Sequence, residues 1–183
     1  TLAARAGIQV AETRLVEMAR GQAVAVRRFD REIGQRLHVI SAHVALSAAG
    51  SELSYPALAQ LLRRRGERRD GLAQHQMAEL FRRLVFNILI DNTDDHEKNH
   101  ALIMTDSQTW LLSPAYDVLP AGSSLGYQSM IVGEAGAIAS LENALSLSLA
   151  YGLSRDDAIR EAAKVAGVVD QWQAHFTDMG VPP

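Results

Sequence analysis

The 183-residue chain contains no cysteine. Disulfides, thiolate zinc sites and cysteine nucleophiles are therefore excluded, and the composition fits a reducing, cytoplasmic setting. No apolar run reaches membrane-spanning length, and the first residues form no signal-peptide core. Lysine is almost absent: only Lys98 and Lys164 occur among 18 basic residues. A glycine-rich phosphate loop is missing too, since no G-x-G-x-x-G occurs anywhere. The net charge is −3, so bulk electrostatics give a non-specific nucleic-acid role no support. What remains is an ordinary globular balance, 48% hydrophobic and 21% charged, in a chain long enough for a sizeable core. It starts at Thr1 rather than methionine, as expected of a piece of a longer protein.

Helical patterns dominate. Met77, Leu80, Phe81, Leu84, Val85 and Ile88 recur at helical spacing and predict one long helix with a single apolar face. Ser54-Tyr55-Pro56 predicts a helix start, with Ser54 as the cap and Pro56 in the first turn, running to about Arg65. Leu2 to Ala6 reads as a helix closed by Gly7. Leu141 to Tyr151, Arg155 to Ala166 and Val169 to Phe176 read as later helices, the second capped by Ser154. Strands are few: Thr13 to Ala19 and Ala23 to Phe29 flank a turn at Gly21, and Ala101 to Met104 and Trp110 to Leu112 flank a turn at Asp106-Ser107-Gln108. Leu37 to Leu46 reads as strand passing into helix. Asp30 to Gln35 and Gly122 to Gly136 read as loop. The arginine run from Arg63 to Arg69 is either a solvated helix end, favourable at the C-terminal dipole, or a patch for phosphate or an acidic partner.

The chemistry concentrates between Asp91 and Asn99. This polar cluster after an apolar helix is expected to be a loop, because burying its charges is costly, and a merely solvated loop is the bland alternative to a functional one. Asp94, four residues, then Asn99 repeats the D-x-x-x-x-N spacing of a protein-kinase catalytic loop. Asp94 would accept a substrate hydroxyl's proton as that oxygen attacks a γ-phosphate. Asn99 offers a neutral amide oxygen to magnesium, and the strand pair that follows delivers Asp117 as a carboxylate ligand. Lys98 would offset charge on the transferring phosphoryl group. His96 either donates to a phosphate or braces the loop. Asp91-x-Thr93-x-Asp95 begins like a calcium loop, but position six holds His96 instead of glycine.

Taken together, Thr93-Asp94-Asp95-His96-Glu97-Lys98-Asn99 and Leu112-Ser113-Pro114-Ala115-Tyr116-Asp117 resemble the signature of the HipA-like serine/threonine kinases, toxins of bacterial toxin–antitoxin modules. Val26 to Arg31, Arg36 to Ser41 and the Ser54-Tyr55 helix start resemble the same family. The resemblance implies an α+β, predominantly helical fold: a protein-kinase-like C-lobe with a short β remnant of the N-lobe. Residues 1–30 would be the remnant and hinge, and 31–183 the C-lobe. It implies Asp94 as base, with Lys98 and His96 in the catalytic loop, and Asn99 and Asp117 as Mg2+ ligands. Arg27 to Phe29 would be the hinge whose backbone meets the adenine of ATP, with Asp30, His96 and Tyr116 near the nucleotide. Phe29 reads equally as a strand-end core aromatic, Tyr116 as packing beneath the metal loop, and His38 and His43 as structural.

The implied partners are a protein substrate with a serine or threonine acceptor and a helix-turn-helix antitoxin, with DNA reached only indirectly and no membrane. One departure is large. A kinase also needs a phosphate-covering loop and a lysine for the α- and β-phosphates, and in this family both lie upstream. The chain alone is therefore expected to be inactive. A non-catalytic module that docks an antitoxin or another protein is the competing reading. A metal-dependent hydrolase would want further His or carboxylate ligands.

Overall fold

The structure, a computed structural model, describes residues 1–180. Residues 181–183, the end of the expected C-lobe, lie outside the described residues. The helices are α1 (Leu2–Arg5), α2 (Ala42–Ala48), α3 (Tyr55–Arg65), α4 (Leu72–Leu89), α5 (Leu141–Ser146), α6 (Arg155–Val169) and α7 (Trp172–Asp178). Strands β1 (Thr13–Glu17) and β2 (Gln22–Val26) form one hairpin, and β3 (Arg31–Glu32) and β4 (Gln35–Arg36) a second, minimal one. Strands β5 (Val39–Ser41), β6 (Ala101–Met104) and β7 (Trp110–Leu112) form a three-stranded antiparallel sheet in that order. No helix among the described residues is long and apolar enough to cross a membrane.

Helix α4 is the spine. Its stripe of Met77, Leu80, Phe81, Leu84 and Val85 is buried, and it packs against both α3 and α6. Each such Leu or Phe contributes roughly 1.5–3 kcal/mol by leaving water. Helix α3 starts where the sequence places it: Ser54 Oγ accepts from Ala57 N at 3.0 Å, and Pro56 needs no donor in the first turn. This fixes Tyr55, fully buried, at the first helical position. Ser41 caps α2 in the same way at the end of β5. The β6–β7 turn places Gln108 at φ 58.

The first hairpin's strands end at Glu17 and Val26 rather than the expected Ala19 and Phe29, and three further boundaries differ from the sequence reading. Asp30 to Gln35 is not all loop: Arg31–Glu32 pairs with Gln35–Arg36 around Gly34, whose φ of 84 permits the reversal. The helix expected from Leu141 to Tyr151 breaks at Leu147, and a 3-10 turn at Ser148–Tyr151 ends on Gly152 at φ 74. Helix α6 runs on to Val169, past the expected Ala166, so the last helix begins only at Trp172. The first misreading of a helix follows from continuity, since Leu141 to Tyr151 carries no glycine or proline; the second has the opposite cause, since Gly167 suggests a helix end after Ala166 but lies inside α6.

Candidate active site

Helix α4 ends at Leu89, and the chain turns through Asp91 at φ 56. From there to His100 it is irregular, then enters β6. Most of this loop is tied down. Asp91 Oδ2 accepts from Ser124 N at 2.8 Å, and its carbonyl accepts from Ala121 N at 3.0 Å. Asn92 Nδ2 donates to Asn87 Oδ1 at 3.1 Å. The Thr93 hydroxyl meets Ser123 Oγ at 2.8 Å, and its carbonyl accepts from Ser129 Oγ at 3.0 Å. Glu97 Oε1 lies 2.8 Å from His43 Nδ1, and the Glu97 carbonyl accepts from His43 N.

The cost of burial did not keep every charge of the loop in water, and the exception is Asp95. Its side chain is buried, with only 2% of the residue exposed. The Tyr55 hydroxyl and His100 Nε2 both donate to its Oδ2, the latter at 2.9 Å. Burial alone would push the Asp95 carboxyl up; the His100 and Tyr55 hydrogen bonds and the charges of His100 and Arg83 outweigh it and hold the group below its ordinary value. Burial, with the Asp95 charge second, pushes the Tyr55 hydroxyl well up. Arg83 is buried on α4; its guanidinium pairs with Glu79 and donates to the Ser113 carbonyl at 2.7 Å. Burial lowers the Arg83 value, opposed chiefly by the Glu79 charge.

The side chains singled out by spacing behave oppositely. Asp94 and Lys98 are exposed. Among the described residues, the side chains of Asp94, Lys98 and Asn99 make no hydrogen bond or ion pair, and His96 Nδ1 is buried without a partner. Asn99 is 7% exposed and borders a narrow cavity with Asp95, His100 and Tyr116. Asp117 is exposed, also unpaired among the described residues, and held at φ 58. Left-handed backbone at a non-glycine residue is uncommon and clusters at functional sites. The β6–β7 ladder brings Asn99 and Asp117 to one end of the sheet: Leu102 pairs Leu112, and Ser113 N donates to the Ala101 carbonyl at 2.8 Å.

Tyr116 joins the hairpin exit to the loop. Its hydroxyl donates to the Lys98 carbonyl at 2.7 Å, and its ring lies 5.4 Å from that of Phe29. Burial raises the Tyr116 hydroxyl, and the charges of Asp95 and Asp117 add to the effect. Phe29 is thereby placed beside the loop. Arg27 points elsewhere, pairing with Glu12 at 3.1 Å, and its amide donates to the Glu12 carbonyl at 2.8 Å. Asp30 is gripped by Arg28 at 2.6 Å, and this hydrogen bond lowers its carboxyl to about 2. His38 packs on Trp110 at 5.7 Å.

Oxygen donors with no competing protein partner suit magnesium, which takes one or two carboxylates and fills its octahedron with water and phosphate. Asn99 and Asp117 fit that demand. No group of three or more His, Asp or Glu side chains that could hold a metal occurs among the described residues, which argues against an all-protein cage. The sequence reading missed Asp95, His100 and Arg83 as parts of the site. Signals were present: Arg83 and Asn87 are polar residues on the inward face of α4, where an unpaired charge is costly.

The family model of the HipA-like C-terminal domain matches residues 1–172. The Sinorhizobium fredii protein named "Putative kinase Y4dM" is 31% identical over 180 residues, covering 90% of this chain and 40% of that protein. Among solved structures, HipA of the Shewanella oneidensis MR-1 toxin–antitoxin system, in complex with HipB and operator DNA, aligns with all of this chain and 48% of its own at TM-score 0.75 and 22% identity. The Helicobacter pylori proinflammatory kinase CtkA aligns at TM-score 0.53 and 12% identity over 98% of this chain and 79% of its own. At these identities the two structures show a shared fold. The chain spans less than half the length of the first two relatives.

Proposed function

Since the chain belongs to the HipA-like C-terminal domain family, we propose that it is the C-terminal part of an ATP- and Mg2+-dependent serine/threonine protein kinase of the HipA-like toxin type. The carrying observation is the contrast within the loop: Asp94 has no protein partner among the described residues while its neighbour Asp95 is buried and bonded. In this reading the fold is a kinase-like C-lobe, and the β1–β2 hairpin with its exposed Leu15, Val24 and Val26 is the remnant of the smaller lobe.

Asp94 accepts a hydrogen bond from the acceptor hydroxyl and takes its proton as the oxygen bonds to the γ-phosphorus and ADP leaves. Asn99 and Asp117 would hold Mg2+, which would supply positive charge to offset that of the phosphates. Lys98 stands in the same loop with an exposed side chain free to meet phosphate oxygens, whereas His96, its Nδ1 buried, would reach one only through Nε2. Phe29 and Tyr116 would border the adenine end. With the Arg27 amide committed to Glu12, the backbone of Arg28 and Phe29 is left for the base. The phosphate-covering loop and its lysine belong, in this proposal, to the part of the protein outside these residues. The 183-residue chain alone transfers little or no phosphate.

By analogy with the Shewanella complex, the intact protein pairs with a helix-turn-helix antitoxin and reaches DNA through it. A second reading, a non-catalytic docking module, is favoured by one observation: Lys164, the only lysine besides Lys98, is ion-paired with Glu161 on α6. The deciding experiment is γ-phosphate transfer by the intact protein. Asp94→Asn should lower kcat by about 10²–10⁴-fold, and Asp117→Asn should lower it with an increased Mg2+ requirement. Wild-type rates in both variants overturn the kinase reading. Absent ATP–Mg2+ binding by calorimetry establishes the docking module.

A further inference from the structure

The D-x-x-x-x-N spacing has a twin one residue along, Asp95-x-x-x-x-His100. The twin is closed on itself by the 2.9 Å hydrogen bond from His100 Nε2 to Asp95 Oδ2. Each member therefore sits next to a residue named in the proposed chemistry: Asp95 follows Asp94, and His100 follows Asn99. Both members are buried, at 2% and 3% exposure. The pair is moored twice to the body of the protein. The Tyr55 hydroxyl at the start of α3 donates to the same Asp95 oxygen, with the Tyr55 ring edge-on to His100 at 5.4 Å. The His100 carbonyl accepts from Ala42 N at 2.7 Å where β5 gives way to α2.

We propose that the Asp95–His100 pair, moored by Tyr55, is a positioning clamp that sets the separation and orientation of Asp94 and Asn99. The proposal rests on the kinase reading of those two residues. Six residues from Asp95 to His100 without regular structure would sample many conformers; a buried bond across their base removes most of them. The energetic logic favours positioning over simple packing. A buried ion pair seldom outdoes well-packed apolar side chains in stability, and fixing one arrangement is the better-attested use of such a pair. Misplacement of a reacting group by about 1 Å costs up to roughly 10²-fold in rate.

The test uses the intact protein and four variants: Asp95→Asn, His100→Ala, His100→Gln and, as reference, Asp94→Asn. The rate is expressed per ATP–Mg2+-binding molecule, counted by calorimetric stoichiometry, so a loss of folded protein does not register. The clamp predicts kcat lowered by about tenfold or more in Asp95→Asn and His100→Ala, with KM for ATP within about threefold. His100→Gln, which restores a side-chain donor, should recover part of the rate. Combining Asp95→Asn with His100→Ala should cost little more than either alone, as expected for one shared interaction. Amide hydrogen exchange across residues 96–99 should quicken by about tenfold or more in His100→Ala. Exchange unchanged from wild type overturns the clamp whatever the rates show. Rates within twofold of wild type overturn it as well, provided Asp94→Asn is inactive. An active Asp94→Asn overturns the kinase reading instead and leaves hydrogen exchange to decide the clamp.

Discussion

Asp94 and Asp95 are adjacent, chemically identical and oppositely placed. Asp94 is exposed and has no protein partner among the described residues; Asp95 is buried beneath Tyr55, His100 and Arg83. The division extends along the loop. Thr93, Asp95, Glu97 and His100 are bonded to α2, α3 or the segment after Asp117, whereas the side chains of Asp94, Lys98 and Asn99 are untied. A group that must meet a substrate cannot spend its lone pairs on its own protein. A group that must stay still has to. The loop interleaves the two kinds, so each untied residue is held by a tied neighbour.

The largest expected effect breaks this contrast through stability. Asp95→Ala removes the acceptor of two buried donors and leaves Arg83 without one of its nearby negative charges. Breaking a buried charge pair from one side costs about 3–5 kcal/mol. Asp94→Ala touches an exposed side chain without partners and should stay within about 0.5 kcal/mol of wild type. Urea unfolding of both variants measures the difference. Equal stabilities would show that the burial of Asp95 carries no bonding weight.

The untied residues could be singled out in the sequence, because the kinase resemblance prescribes residue types at fixed offsets; their proposed roles rest on that resemblance. Asp94, Asn99 and Asp117 could be named from spacing and the strand pair between them. The apolar stripe of α4 and the Ser54 cap of α3 were legible for a similar reason: helical period and capping are local properties. The tied half was not. Tyr55 meets Asp95 across 40 residues of chain, and nothing local to Asp95 announces a partner that distant. The charge count of the loop pointed to water, since burial without knowledge of Tyr55, His100 and Arg83 looks prohibitive. The minimal β3–β4 pair escaped for a different reason, being two residues per strand and polar throughout.

Acid sharpens the same comparison, with a smaller effect. Asp95 titrates below its ordinary value when folded, and an unfolded aspartate titrates near ~3.9. The unfolded chain thus binds a proton at a pH where folded Asp95 does not. Its stabilising contribution is full above about pH 4 and is lost as pH falls through the lower folded value. The groups facing it are Tyr55, His100 and Arg83. Stability measured from pH 6 downward should therefore fall less steeply below about pH 4 in Asp95→Asn than in wild type. Identical acid limbs would place the Asp95 carboxyl at its unfolded value.

The smallest expected effect concerns the tie at the loop's outer edge. His43 and Glu97 meet at 2.8 Å, but the His43 side chain is 43% exposed. Such a pair contributes about 0.2–1 kcal/mol, against several for the buried one. A double-mutant cycle of His43→Ala and Glu97→Gln should return a coupling in that range, falling further at high salt as exposed charges are screened. The Glu97 carbonyl still accepts from the His43 amide in every variant, so the backbone path of the loop survives. Proposed catalysis should accordingly fall by less than about threefold, because the edge tie does not adjoin Asp94 or Asn99. A tenfold loss of kcat in His43→Ala would mean that the edge holds the loop as firmly as the buried pair does, and that placement beside the working residues is not what distinguishes Asp95 and His100.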